Sequence, residues 1–93
     1  MKKIYVKKGQ IFDIRLPENI TTGYRWELYT SPELEIIDSR INQPKANLLG
    51  SSRDRYWTIK ALREGLYKVE GNYSRPWEKQ PEYPDYTLSV DVS

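Results

Sequence analysis

The sequence predicts an all-β domain, an antiparallel sandwich of seven or eight short strands, and three observations carry that expectation. Apolar residues recur at every second position in short runs, turn residues separate the runs, and no segment shows the three-to-four-residue spacing of an amphipathic helix. The aromatic complement agrees. Eight tyrosines and three tryptophans against one phenylalanine suit pleated, half-buried surfaces better than helix faces.

The runs follow one another in order. Ile4 and Val6 open the series. Phe12, Ile14 and Leu16 alternate up to Pro17, where the strand is expected to end. Tyr24, Trp26 and Leu28 run to Ser31-Pro32, and Leu34 and Ile36 lead toward Asp38-Ser39. Trp57, Ile59 and Ala61 stop near Glu64-Gly65, Tyr67, Val69, Gly71 and Tyr73 lead into a proline-rich segment, and Tyr86, Leu88, Val90 and Val92 close the chain. Short alternating strands with frequent turns are the pattern of an immunoglobulin-like β-sandwich. Trp26 and Trp57 fall in phase with their strands and are expected in the core. Tyr24 remains open between core and surface. The longest non-alternating segments are 17–23, 40–53 and 74–85. Loops that follow alternate strands of a sandwich emerge at the same end, so these three are expected to form one composite edge.

Ninety-three residues suit a single domain spanning 1–93, large enough for a core without disulfides or metal. Cysteine and histidine are both missing, which removes thiol and imidazole nucleophiles and the usual zinc, copper and iron–sulfur ligand sets. No cofactor, no metal and no enzymatic activity are expected. Fifteen Lys and Arg against thirteen Asp and Glu leave a net charge of +2, with the signs interspersed after a basic start at Lys2, Lys3, Lys7 and Lys8. That distribution forms no stripe for nucleic acid. The basic start is not followed by an apolar run, and nothing approaches the roughly 18 apolar residues of a membrane helix. The chain therefore reads as cytoplasmic as it stands, or as exported after removal of a leader.

Arg75-Pro76-Trp77 stands out in the proline-studded segment 74–85. No alternating strand surrounds Trp77 to bury it, so its apolar face is available to a partner. Pro76, Pro81 and Pro84 restrict their own φ and the residues before them, which lowers the entropy that docking would cost. Two readings stand: Trp77 is an anchor for a partner, or it folds back as a lid over one end of the core.

Three motifs in order along the chain resemble the chagasin-type family of cysteine protease inhibitors. Its members carry an Asn-Pro-Thr-Thr-Gly-aromatic loop, a glycine-rich loop and an Arg-Pro-Trp loop. Here the first reads Asn19-Ile20-Thr21-Thr22-Gly23-Tyr24 with Trp26 beyond it, and the third is the unaltered Arg75-Pro76-Trp77-Glu78. Between them, the stretch from Trp57 through Lys60-Ala61 to Gly65 resembles the family's strand into the next hairpin. Two departures stand out. Ile20 replaces the proline of the first loop, freeing φ and restoring an N–H. The central loop, Asn47-Leu48-Leu49-Gly50-Ser51-Ser52, holds less glycine than is usual.

The resemblance implies an immunoglobulin-like scaffold and reversible, non-covalent, competitive blockage of papain-like cysteine proteases. Asn19, Ile20, Thr21, Thr22 and Gly23 would plug the catalytic centre; Leu48, Leu49, Gly50 and Ser51 would meet one wall; Arg75, Pro76 and Trp77 would clasp the other. A thiolate–imidazolium cleft is suited to small polar groups and close backbone approach, which two stiff threonines and a glycine can offer. Taken alone, Thr21-Thr22-Gly23 also reads as a tight turn, and Leu48 and Leu49 as residues returned to the core. The implied partner is a papain-like protease met by a free monomer, with no small-molecule substrate, nucleic acid or membrane. The alternative is an immunoglobulin-like module that uses exposed aromatics to bind carbohydrate, with Trp77, Tyr83 and Tyr86 as sugar-stacking faces, or single-stranded nucleic acid, with lysines along the backbone track.

Overall fold

Seven strands in two sheets form the protein in the computed structural model, which describes residues 2–19, 23–42, 52–75, 77–78 and 83–93. The strands are β1 (Lys2–Val6), β2 (Ile11–Asn19), β3 (Arg25–Thr30), β4 (Leu34–Asn42), β5 (Ser52–Ala61), β6 (Gly65–Ser74) and β7 (Tyr86–Val92). One sheet has the order β1-β7-β6-β3 and the other β2-β5-β4. Among the described residues there is no helix, as the period-two pattern requires. All pairings are antiparallel except that of β1 with β7, which runs parallel with Ile4 opposite Val90. These two strands come from opposite ends of the chain, so no hairpin constrains their direction.

Most strands bury residues that their alternation selects, but Trp26 and Leu28 of β3 are only half-buried and Ile36 of β4 is exposed. Ile14 and Leu16 of β2, Trp57, Ile59 and Ala61 of β5, Val69 of β6 and Leu88, Val90 and Val92 of β7 form the core with Val6 and Leu34. Trp26 lies at the margin of this core, half-buried and packed against it.

Four strands run further than their sequences suggest, β2 and β4 by three residues each. β2 continues through Pro17 to Asn19. It is an edge strand, and the Pro17 carbonyl accepts the Trp26 indole N–H at 2.7 Å from the side away from β5, so the missing N–H removes no ladder bond. β4 continues to Asn42 because a register shift between Ile36 and Asp38 leaves Ile37 without an opposite residue. Such a bulge breaks the alternation on which a sequence reading depends, and Ile36 and Ile37 are both exposed. The connecting segments are correspondingly shorter: 17–19 belong to β2, 40–42 to β4, 52–53 to β5 and 74 to β6.

Strand register gathers three connections at one end. Asn19 pairs with Ser52, which puts the close of β2 beside the start of β5. Asn42 pairs with Asp54, and Arg25 pairs with Ser74. The described ends flanking the β2–β3, β4–β5 and β6–β7 connections therefore stand together, as the alternate-strand rule anticipates.

Candidate functional site

At this end of the sandwich an aromatic ladder begins inside the core margin and climbs to the surface. Tyr86 meets the edge of Trp26 at 6.4 Å between ring centroids, Trp26 stacks on Tyr73 at 4.9 Å, and Tyr73 stacks on Tyr24 at 5.2 Å. Burial among these rings pushes the Tyr86 hydroxyl pKa upward. Rings at these separations gain from offset and edge contacts beyond simple area. The guanidinium of Arg75 caps the ladder, 4.7 Å from the Tyr24 ring centroid and 5.9 Å from that of Trp77. Tyr24, which the sequence leaves undecided, is thus half-buried, with its ring between Tyr73 and Arg75.

Trp77 is 73% exposed, so it is no lid on the core. One edge of its ring comes close to Gly23 of the first connection. Gly23 has φ of 81°, and a Cβ placed there would lie 3.3 Å from Cη2 of Trp77. Gly23 therefore answers to two demands at once, a left-handed backbone and a close ring. The base of the β6–β7 connection is tied down by Asp85, whose carboxylate accepts the Tyr73 N–H at 2.7 Å while its own N–H reaches the Gly71 carbonyl at 2.9 Å. Glu78 donates its N–H to the Arg75 carbonyl at 3.1 Å and lies 3.7 Å from the Arg75 side chain, which closes a turn at the motif.

Below the ladder lies a charged cluster that the sequence reading did not single out. Glu18 is 1% exposed. Its Oε1 accepts from Nε and Nη2 of Arg53 at 3.1 and 2.8 Å, and its Oε2 accepts the Trp26 N–H at 3.0 Å and Nη1 of Arg55 at 3.4 Å. Burial alone would push the carboxyl pKa up, but the Trp26 N–H, the Arg53 hydrogen bonds and the positive charges of Arg55 and Arg53 outweigh it and hold the group below its ordinary value. Arg55 also donates to the Trp26 carbonyl at 3.2 Å and lies 5.0 Å from the Trp57 ring centroid. The Asn19 N–H donates to the Tyr73 hydroxyl at 2.9 Å, a further link between the sheets. Phase could have revealed the cluster. Glu18 continues the inward series Ile14, Leu16, and Arg53 and Arg55 continue the series Ala61, Ile59, Trp57, so opposite charges arrive at facing interior positions.

Of the residues singled out from the sequence, the structure brings Gly23, Arg75 and Trp77 together, with Asn19 half-buried at the close of β2. Ile20, Thr21, Thr22, Leu48, Leu49, Gly50, Ser51 and Pro76 lie outside the described residues. Trp57 is in the core, as its phase requires.

Comparison with known proteins completes the picture. Residues 5–92 match the family model described as Chagasin family peptidase inhibitor I42. The chain belongs to the chagasin family of peptidase inhibitors. Chagasin from Trypanosoma cruzi is 28% identical over 78 residues, covering 77% of this chain and 71% of its own. Amoebiasin-2 from Entamoeba histolytica is 28% identical over 92 residues, covering 96% and 74%. The crystal structure of the cysteine protease inhibitor EhICP2 from Entamoeba histolytica superposes with a TM-score of 0.83 at 25% identity, over 99% of this chain and 86% of that one. This chagasin-family chain is accordingly an inhibitor and not an enzyme.

Proposed function

We propose that this chagasin-family protein is a reversible, non-covalent, competitive inhibitor of papain-like cysteine proteases, which it blocks by inserting its three clustered connections into the active-site cleft. The observation that carries the proposal is the site's readiness in the free chain: Trp77 exposed, its ring edge on Gly23, and Arg75 stacked on Tyr24. An anchor already held in place loses little entropy on docking, and exposed tryptophan and arginine are the side chains in which interface energy concentrates. The likeness to a solved cysteine protease inhibitor supports the choice of target class.

In this reading Thr21-Thr22-Gly23, with Asn19 and Ile20 leading in, fills the catalytic centre. Its threonines offer hydroxyls, and the glycine lets the backbone approach the cleft wall without a Cβ. Arg75, Pro76 and Trp77 cover the primed side, while Leu48, Leu49, Gly50 and Ser51 meet the opposite wall. Affinity then comes from an interface of roughly 1,600 Å², not from a bond to the nucleophile.

A panel of proteases tests this directly. Papain-like enzymes are expected to be inhibited competitively, and trypsin-like serine proteases to be untouched. A papain-like enzyme whose catalytic cysteine is replaced by alanine is expected to bind still. Equal inhibition of both classes, or complete loss of binding to the alanine variant, contradicts the proposal.

A further inference from the structure

Among the described residues, charge enters the interior of the sandwich at one place, at the end from which the three connections leave. Glu18 is the one buried charged residue among the described residues. At the opposite end of the core the buried side chains among the described residues, Val6, Leu34, Ala61 and Val92, are apolar.

Position explains what the carboxylate joins. Glu18 lies in β2 just before segment 20–22, Trp26 lies in β3 just after it, and Arg53 lies in β5 just after segment 43–51. One side chain therefore links both sides of the first connection to the far side of the second. Tyr73 extends the linkage to the third, since its hydroxyl accepts from Asn19 and it stands in β6 two residues before Arg75. Arg55 adds a second cation and reaches the Trp26 carbonyl, so the main chain of Trp26 is held on both sides of its Cα, at the N–H and at the C=O.

Stability alone is a poor reason for such a cluster. A well-packed apolar group that continued the series Ile14, Leu16 would serve folding as well as a buried ion pair does, or better. What the ions supply is direction. Hydrogen bonds to a carboxylate fix angles and spacing in a way apolar contact does not. We infer that Glu18, partnered by Arg53, is a positioning residue for inhibition, an internal brace that sets the spacing of the three connections. The inference rests on the inhibitory reading above, which supplies the reason the spacing matters.

Glu18→Gln and Arg53→Lys test it, the first removing the charge and the second keeping charge but losing the planar fork. Inhibition of papain is measured well below each variant's melting temperature, so that all the protein is folded. Each variant is expected to raise the inhibition constant at least tenfold. Lower melting temperatures with inhibition constants within twofold of the original would overturn the brace, because the cluster would then serve stability alone. If Glu18→Gln does not fold, Arg53→Lys carries the comparison. The backbone amide resonances of Gly23, Tyr24 and Arg75 give a readout that needs no protease. They are expected to move in Arg53→Lys, and their staying in place counts against the brace. Should the unaltered protein fail to inhibit papain, the inhibitory reading falls, and these resonances still decide whether Glu18 and Arg53 set the connections.

Discussion

Trp77 separates two energetic roles that tryptophan can play. Its 73% exposure means that the folded chain gains little from burying it, while the contact with Gly23 and the nearby Arg75 limit where its ring can point. An exposed but oriented aromatic is the profile of an interface hot spot. Trp77→Ala is accordingly expected to weaken protease binding by ~2 kcal/mol or more, chiefly by speeding dissociation. Folding stability is expected to change by no more than about 0.5 kcal/mol. Stopped-flow dissociation and thermal melting measured side by side check both halves. A large fall in melting temperature with unchanged dissociation would assign Trp77 to the scaffold.

At the level of the strand, β5 carries two functions along one face. Its inner residues run Ala61, Ile59, Trp57 through the core and then Arg55, Arg53 under the site, so a single period-two series changes from apolar packing to ionic linkage. Trp57 stands at the change, 4% exposed, with the Arg55 guanidinium on its ring. Trp57→Ala is expected to cost about 3–5 kcal/mol, a large share of the stability of a domain this size. Denaturant titration measures it, and a cost below about 1 kcal/mol would contradict the core placement. β4 shows the opposite behaviour: one bulge at Ile37 displaces the pattern, and the strand continues where alternation stops.

For the whole molecule, the buried carboxylate of Glu18 links stability to pH. The Glu18 pKa is lower in the folded protein than its ordinary value of 4.5. A depressed carboxyl contributes stability that is present above the unfolded-state value and lost as pH falls through the folded-state value. The stability difference between the unaltered protein and Glu18→Gln is therefore expected to be constant from neutrality down to about pH 5, and to shrink below pH 4.5. Urea titrations of both proteins across that range measure it. A difference that grows on acidification would mean that the carboxylate is not the stabilised form.

Alternation in the sequence determined the all-β class, the existence of every strand and the core placement of Trp57, because a strand's two faces are written in consecutive residues. The Arg-Pro-Trp motif likewise marked Trp77 in advance, since no neighbouring pattern offers it a strand face. Tertiary structure alone decided the rest. The reach of β2 past Pro17 depends on which side of an edge strand lacks a neighbour, and that of β4 past Ile36 depends on a bulge. That Trp77 does not fold over the core as a lid follows from its 73% exposure, which no local pattern fixes. Glu18, Arg53 and Arg55 continue inward-facing series in the sequence, but nothing local to each strand says that they meet. They become a buried cluster only when register sets Glu18 opposite Arg53 on the inward face, with Trp26 of the other sheet presenting its N–H to the same carboxylate. Local periodicity tells which side of a strand is inside; which interior groups meet is a relation between strands, and it exists only once the two sheets have closed on each other.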